Sequence, residues 1–319
     1  MDKIELLQYS FSDLYINSNK DFYISDDRYA DSLKKVSPAD KENFYQMLTK
    51  VPHTETSYSM KYKETLFRIE KITSLSGETY CLRRMPMNIP SIHNLNFDHR
   101  FIQYMISLQN HSGLIIWAGA TGTGKTTSIS SLLAEYLNLQ GGFAYTIEDP
   151  AEMPLEGEYQ AFNGTIGFCK QTEVKNDKWG DPLKSALRSR PKYIMIGEIR
   201  TPDAARECLR ASISGHLVLT TIHASSITDA ISSLVKYASY NMTEASAYDI
   251  LSRGLLCVVN QELYGLANHR KPRIETLFTN PDINKGCQVR SIIRSGKLNL
   301  ATSIEMQTIR LSQGLPLFD

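Results

Sequence analysis

Gly119-Ala120-Thr121-Gly122-Thr123-Gly124-Lys125-Thr126-Thr127 fits the pattern G-x-x-x-x-G-K-S/T at every fixed position. Residue types at this spacing suit the holding of a polyphosphate. Glycines let the backbone turn tightly, so that successive N–H groups aim at one point. A helix opening directly behind them adds partial positive charge at the same point. Lys125 is placed to reach β- and γ-phosphates, and the Thr126 hydroxyl to ligate Mg²⁺. An ordinary glycine-rich strand-to-helix turn has no need of Lys-Thr directly after its last glycine.

Further polar groups stand at the ends of apolar runs. Tyr193-Ile194-Met195-Ile196-Gly197-Glu198 is a strand pattern ending in an acid, where a Mg²⁺-linked carboxylate would stand beside a phosphate loop. Ala144-Tyr145-Thr146-Ile147-Glu148-Asp149-Pro150-Ala151-Glu152 runs into acids and is stopped by proline. A carboxylate there could polarise an attacking water as a general base; taken alone, the same acids make a charged turn. A third apolar run, residues 217–222, begins after His216 and ends at His223. An imidazole at its far end could sense a γ-phosphate, whereas His216 suits organisation of the preceding turn or a subunit contact.

These groups need elements to position them. Residues 114–118 before the loop read as a buried strand. Residues 128–138 after it have helical spacing, with Ile129, Leu132, Leu133 and Leu137 on one side. From about residue 97 apolar strands alternate with amphipathic helices, the pattern of an α/β domain around a mostly parallel sheet. Asp181-Pro182 and Thr201-Pro202 read as N-caps followed by first-turn prolines, and Gly215 as a helix stop. Residues 1–95 are more polar and tyrosine-rich. There, 64–72 and 79–85 read as strands of a β-hairpin turning at 74–78, and 87–91 as a linker. Two domains are expected, 1–95 and 96–319.

Composition narrows the function classes. A net charge of +1 gives no global attraction to nucleic acid or anionic membrane, and His53, Lys61, Lys63 and Arg68 form no basic stripe. No apolar run approaches the ~18 residues needed to span a bilayer, and residues 1–10 lack the apolar core of a signal peptide. The cysteines Cys81, Cys169, Cys208, Cys257 and Cys287 include no C-x-x-C pair. Free thiols in a reducing cytosol are expected, rather than disulfides or zinc.

The order of these blocks resembles the bacterial secretion ATPase superfamily. Within it the chain looks most like type IV pilus retraction ATPases, and nearly as much like type IV secretion and conjugation ATPases. Residues 119–127 are similar to the family's Walker A loop, Thr146-Ile147-Glu148-Asp149-Pro150-Ala151-Glu152 to its aspartate box, Ile196-Gly197-Glu198-Ile199-Arg200 to its Walker B, and 215–223 to its histidine box. The match is poor between Glu152 and Gln171 and resumes at Gln171-Thr172-Glu173-Val174. Thr201-Pro202-Asp203 departs from the family's usual Arg-Asp after Walker B, and no four-cysteine insertion is present.

The resemblance implies a P-loop NTPase (RecA-like) C-terminal domain with a smaller α+β, PAS-like N-terminal domain. It implies ATP and Mg²⁺ as cofactors, Lys125 and Thr126 on phosphates and metal, Glu198 by the metal, Glu148 as catalytic base and His223 near the γ-phosphate. Arg68 and Arg83 resemble the family's N-domain arginine fingers, and Arg188 a further family arginine. A homo-hexameric ring at the cytoplasmic side of the inner membrane is implied, acting on a platform protein to power pilus retraction. Alternatives are conjugative transfer or type IV secretion, or a nucleotide-gated assembly switch.

Overall fold

A computed structural model of the chain describes residues 4–25, 32–50, 56–174, 178–265 and 270–318. His53 lies outside the described residues. The chain forms two compact units, one of Met1–Asn88 with Pro150–Pro154, the other of Ile89–Asp149 with Leu155–Asp319.

The first unit is built on strands β1 (Asp13–Ile16), β2 (Phe22–Ser25), β3 (Lys34–Val36), β4 (Ser57–Tyr62), β5 (Thr65–Ser74) and β6 (Gly77–Arg84), with helix α1 (Lys41–Thr49). The sheet order is β3-β2-β1-β6-β5-β4, and every neighbouring pair is antiparallel. Thr65, Phe67, Ile69 and Lys71 alternate inward along β5, as a sheet with one packed face requires. The expected hairpin is β5–β6, closed by Ser74 opposite Gly77. Phe44 of α1 is fully buried and packs T-shaped with Tyr62 and Phe67, at ring-centroid distances of 4.8 and 5.7 Å.

The second unit holds β7 (Gly113–Ala118), β8 (Gly142–Glu148), β9 (Gly157–Gln160), β10 (Ile166–Glu173), β11 (Tyr193–Ile196), β12 (Leu217–Ile222), β13 (Leu255–Tyr264) and β14 (Lys271–Phe278). Their order is β14-β13-β7-β12-β11-β8-β10-β9. The strands from β13 to β10 are parallel, and β14 and β9 run antiparallel at the edges. Helices are α2 (His99–Ser107), α3 (Lys125–Gln140), α4 (Gly180–Arg188), α5 (Pro202–Ser212), α6 (Ile227–Ala238), α7 (Glu244–Gly254), α8 (Gln288–Arg294) and α9 (Ala301–Gln313). Alternate residues of β7 serve opposite faces. Leu114 and Ile116 pack in a core that includes α5, α6 and α7, while Ile115 and Trp117 pack in one that includes α2 and α3. A sheet covered on both faces explains the continuous apolar runs of β7, β11 and β12.

Local expectations need three corrections. Helix α3 begins at Lys125 and is buried nearly all round, with Ser130, Ser131 and Tyr136 inside as well as the predicted apolar side. Helix α4 begins at Gly180 after Trp179, so Asp181 does not cap it. Pro182 sits in its first turn, where a missing N–H costs no helical bond. Thr201 does cap α5, accepting from the Ala204 N–H at 3.3 Å, but that helix ends at Ser212. Among the described residues no helix is long and apolar enough to cross a membrane.

Phe44→Ala should destabilise the chain by about 3–5 kcal/mol in chemical denaturation, because the aromatic cluster cannot close the void; a loss below about 1 kcal/mol would show that the cluster is not tightly packed. Cys169, Cys208 and Cys257 are buried, and Cys81 and Cys287 are partly exposed. Burial disfavours the thiolate, pushing Cys208 up to about 12 and Cys169 and Cys257 upward too. Alkylation of the native chain at neutral pH should therefore modify Cys287 and Cys81 well before those three. Fast labelling of Cys208 would contradict its burial.

Candidate functional site

The strands β7, β12, β11 and β8 are consecutive and parallel, so their C-terminal ends emerge at one edge. Register sharpens this placement. Ala118 lies beside Ile222, and Ile196 beside both Thr220 and Ile147. The next residues are therefore Gly119 after β7, His223 after β12, and Gly197-Glu198 after β11, with Glu148 as the last residue of β8. Ligands of open parallel sheets bind outside such an edge.

Gly119 has φ +150°, and a Cβ there would run into the Gln261 carbonyl and the Thr123 hydroxyl. Glycine is thus needed both for the conformation and for the close approach. The loop folds over its own Ala120 carbonyl, which accepts from Thr123 Oγ1 at 2.9 Å and Lys125 Nζ at 2.8 Å. Lys125 is buried at the start of α3. The first backbone return bond of that helix is Ser128 N–H to Gly124 O, 3.0 Å. Gly124 offers no capping side chain, and the first turn holds no acid. Helices α2, α5, α6 and α7 are capped by Asp98, Thr201, Ser226 and Thr243, whereas α1, α4, α8 and α9 share with α3 the lack of a side-chain cap. The N-terminus of α3 therefore presents N–H groups and dipole without a side-chain cap, an arrangement suited to an anion.

Glu148 is 1% exposed. Its Oε1 accepts from Thr146 Oγ1 at 2.7 Å and from Gln171 Nε2, on the neighbouring β10, at 2.8 Å. Gly197 passes so close that a Cβ would lie 3.0 Å from Glu148 Cγ. Any other residue would push on this carboxylate. Glu198 lies between an imidazole and a guanidinium: His223 Nε2 is 3.0 Å from Oε1, and Arg200 Nε donates to Oε2 at 2.6 Å. Thr221 Oγ1 donates to the Gly197 carbonyl at 2.6 Å, and Ile199 N–H to the Thr221 carbonyl at 3.0 Å, which stitches the β11 and β12 tips together. Thr126 and Glu198 are hard oxygen donors, the type Mg²⁺ takes alongside phosphate oxygens and water. Among the described residues no group of three or more His, Cys, Asp or Glu is gathered for a metal. Mg²⁺ held largely by a polyphosphate requires none.

Arg68 and Arg83 belong to the first unit, directly opposite one another on β5 and β6. Arg68 Nη1 donates to Glu152 Oε1 at 3.1 Å, and Arg83 Nε to Asp13 Oδ1 at 3.0 Å. Thus the candidate residues divide, with the loop, Glu148, Glu198 and His223 in the second unit and the two arginines in the first. His216, at the start of β12, holds the Pro191 carbonyl through Nδ1 at 2.7 Å, which organises the turn as expected. Arg188 is the last residue of α4. Neither Gln261 nor the pairing of Gln171 with Glu148 is marked by any local pattern in the sequence. The only trace of Gln261 is a buried amide directly after the apolar run 255–259 and Asn260.

The profile of the type II/IV secretion system protein family matches residues 49–310. Competence protein ComGA of Bacillus subtilis is 31% identical over 215 residues, 66% of this chain and 56% of that protein. Type IV pilus ATPase PilU of Pseudomonas aeruginosa is 27% identical over 255 residues, 79% of this chain and 62% of that protein. The chain thus spans less than two thirds of the length of either relative. Among solved structures, the pilus retraction motor PilT with bound ADP superposes with a TM-score of 0.74 at 24% identity, covering 94% of this chain and 87% of that one. That likeness shows a shared α/β fold. With the profile spanning most of its length, the chain belongs to the type II/IV secretion system protein family.

Proposed function

We propose that this chain binds ATP with Mg²⁺ at the sheet edge and hydrolyses it to power a type IV pilus or a related secretion system. The observation that carries the reading is the uncapped N-terminus of α3, with buried Lys125, at the same edge as Glu148, Glu198 and His223. Membership of the secretion family and a fold shared with an ADP-bound retraction motor support it. On this reading the second unit is a RecA-like P-loop NTPase domain and the first a PAS-like α+β domain.

The loop N–H groups and Lys125 bind the β- and γ-phosphates. Thr126 and Glu198 would hold Mg²⁺, which would supply neutralisation of charge developing on the phosphates. Thr146 and Gln171 fix the Glu148 carboxylate by donating to one oxygen. Glu148 orients the attacking water and takes its proton. His223 reports the γ-phosphate to Glu198, its 3.0 Å neighbour. Arg68 and Arg83 act as fingers on nucleotide, which requires their carboxylate partners Glu152 and Asp13 to yield them. The working form is a homo-hexamer at the cytoplasmic face of the inner membrane, acting on a platform protein.

Lys125→Ala should reduce phosphate release by at least about 10²-fold with an unchanged circular dichroism spectrum; wild-type turnover in that variant would place the site elsewhere. Glu148→Gln should retain ATP binding and lose about 10²–10⁴-fold in kcat, the range for a general base. A variant that hydrolyses normally would remove Glu148 from the chemistry. One that turns over no ATP yet still supports pilus or secretion output would indicate a binding switch instead of a motor.

A further inference from the structure

Gln261 lies on β13, which runs parallel to β7 with Asn260 beside Ala118, so it stands level with the first loop glycine. It is 2% exposed, and among the described residues every bond its amide makes reaches the phosphate loop or the elements flanking it. Oε1 accepts from Trp117 Nε1 at 2.6 Å, on β7, and from Ser128 Oγ at 2.9 Å, in the first turn of α3. Nε2 donates to the Thr123 carbonyl, in the loop itself, at 2.5 Å. An indole N–H can only donate, so Trp117 fixes which end of the amide faces it and leaves Nε2 for the loop.

We propose that Gln261 is the positioning residue that keeps the phosphate loop in its anion-binding shape, an inference that rests on the nucleotide-site reading above. A loop that cradles phosphate must turn N–H groups, not carbonyls, toward the anion. In a planar trans peptide the C=O and N–H point in opposite directions. By holding the Thr123 carbonyl, Gln261 directs the Gly124 N–H away from itself. By accepting from Ser128 and Trp117, the same side chain ties that peptide to the helix start and to the strand end. One neutral amide thus sets the loop against both elements that bound it.

The amide chemistry makes the proposal specific. Glutamate would retain the acceptor for Trp117 and Ser128, but it would set a second oxygen against the Thr123 carbonyl and add negative charge beside an anion site. Methionine would retain volume and lose all three bonds. In the full chain, binding of a fluorescent ATP with Mg²⁺, KM and kcat for phosphate release, and the thermal midpoint without nucleotide are measured for Gln261→Met, Gln261→Glu and Ser128→Ala. Lys125→Ala serves as the control.

Gln261→Met, which releases the Thr123 carbonyl along with the other two bonds, should weaken ATP binding and raise KM by at least about tenfold, and Gln261→Glu by more. Ser128→Ala, which leaves little void, should fold and lose about threefold. A purely structural role would lower the thermal midpoint and leave affinity unchanged at temperatures where the protein is folded. ATP affinity within about twofold of wild type in the folded Gln261 variants overturns the proposal. So does wild-type affinity in Ser128→Ala if the Gln261 variants do not fold. If the wild-type chain binds no ATP, or Lys125→Ala binds it normally, the nucleotide-site reading itself falls, and this inference with it.

Discussion

Everything at the candidate site depends on the parallel run of β7, β12, β11 and β8. Parallel pairing sends all four C-terminal ends to one edge, and the register sets how far each protrudes. A slip of one residue would exchange the two faces of a strand. On β7 it would turn Ile115 and Trp117 toward the helices that now meet Leu114 and Ile116. The doubly packed core therefore fixes the register, and the register fixes which polar residues stand first beyond the sheet. Gly119, Glu148, Glu198 and His223 stand at one edge because this register ends the four strands together.

The two acids at this edge are held by different physics. Glu148 is enclosed, and its carboxylate is met by neutral donors from its own sheet, Thr146 and Gln171. Burying a carboxylate is costly unless hydrogen bonds replace water, and these bonds also fix its plane. Glu198 is more open and is held by His223 and Arg200. Under the proposed function the fixed acid orients water and the cation-bound acid meets the metal. The close pass of Gly197 over Glu148 joins the two environments, so each tip constrains the next.

Much of this was legible in the sequence because local rules carried it. The loop glycines, the run before them and the strand-end acids each have a reason within a few residues. The β5–β6 hairpin was visible through two strand patterns around a Ser-Gly turn. What stayed hidden needed partners far along the chain. Gln261 acquires meaning only beside Trp117, 144 residues away, once β13 pairs with β7. Strands β1 to β4 are short and carry Tyr, Ser and Lys among their apolar positions, so no single run stands out. The start of α4 is ambiguous in the sequence because Asp181-Pro182 satisfies the rules for a cap and for a first turn alike. The breadth of α3 burial was missed because its serines and Tyr136 count as polar in a helical wheel yet pack inside.

The central claim is that the glycine loop, the two strand-end glutamates and His223 converge on a single nucleotide. The most direct measurement is a crystal structure of the chain with Mg²⁺ and a non-hydrolysable ATP analogue. The account predicts the phosphates on the N-terminus of α3 against Lys125, the metal between Thr126 and Glu198, and Glu148 and His223 turned to the γ-phosphate. A nucleotide bound away from this edge, or bound here with Glu148 and Glu198 directed elsewhere, would contradict it.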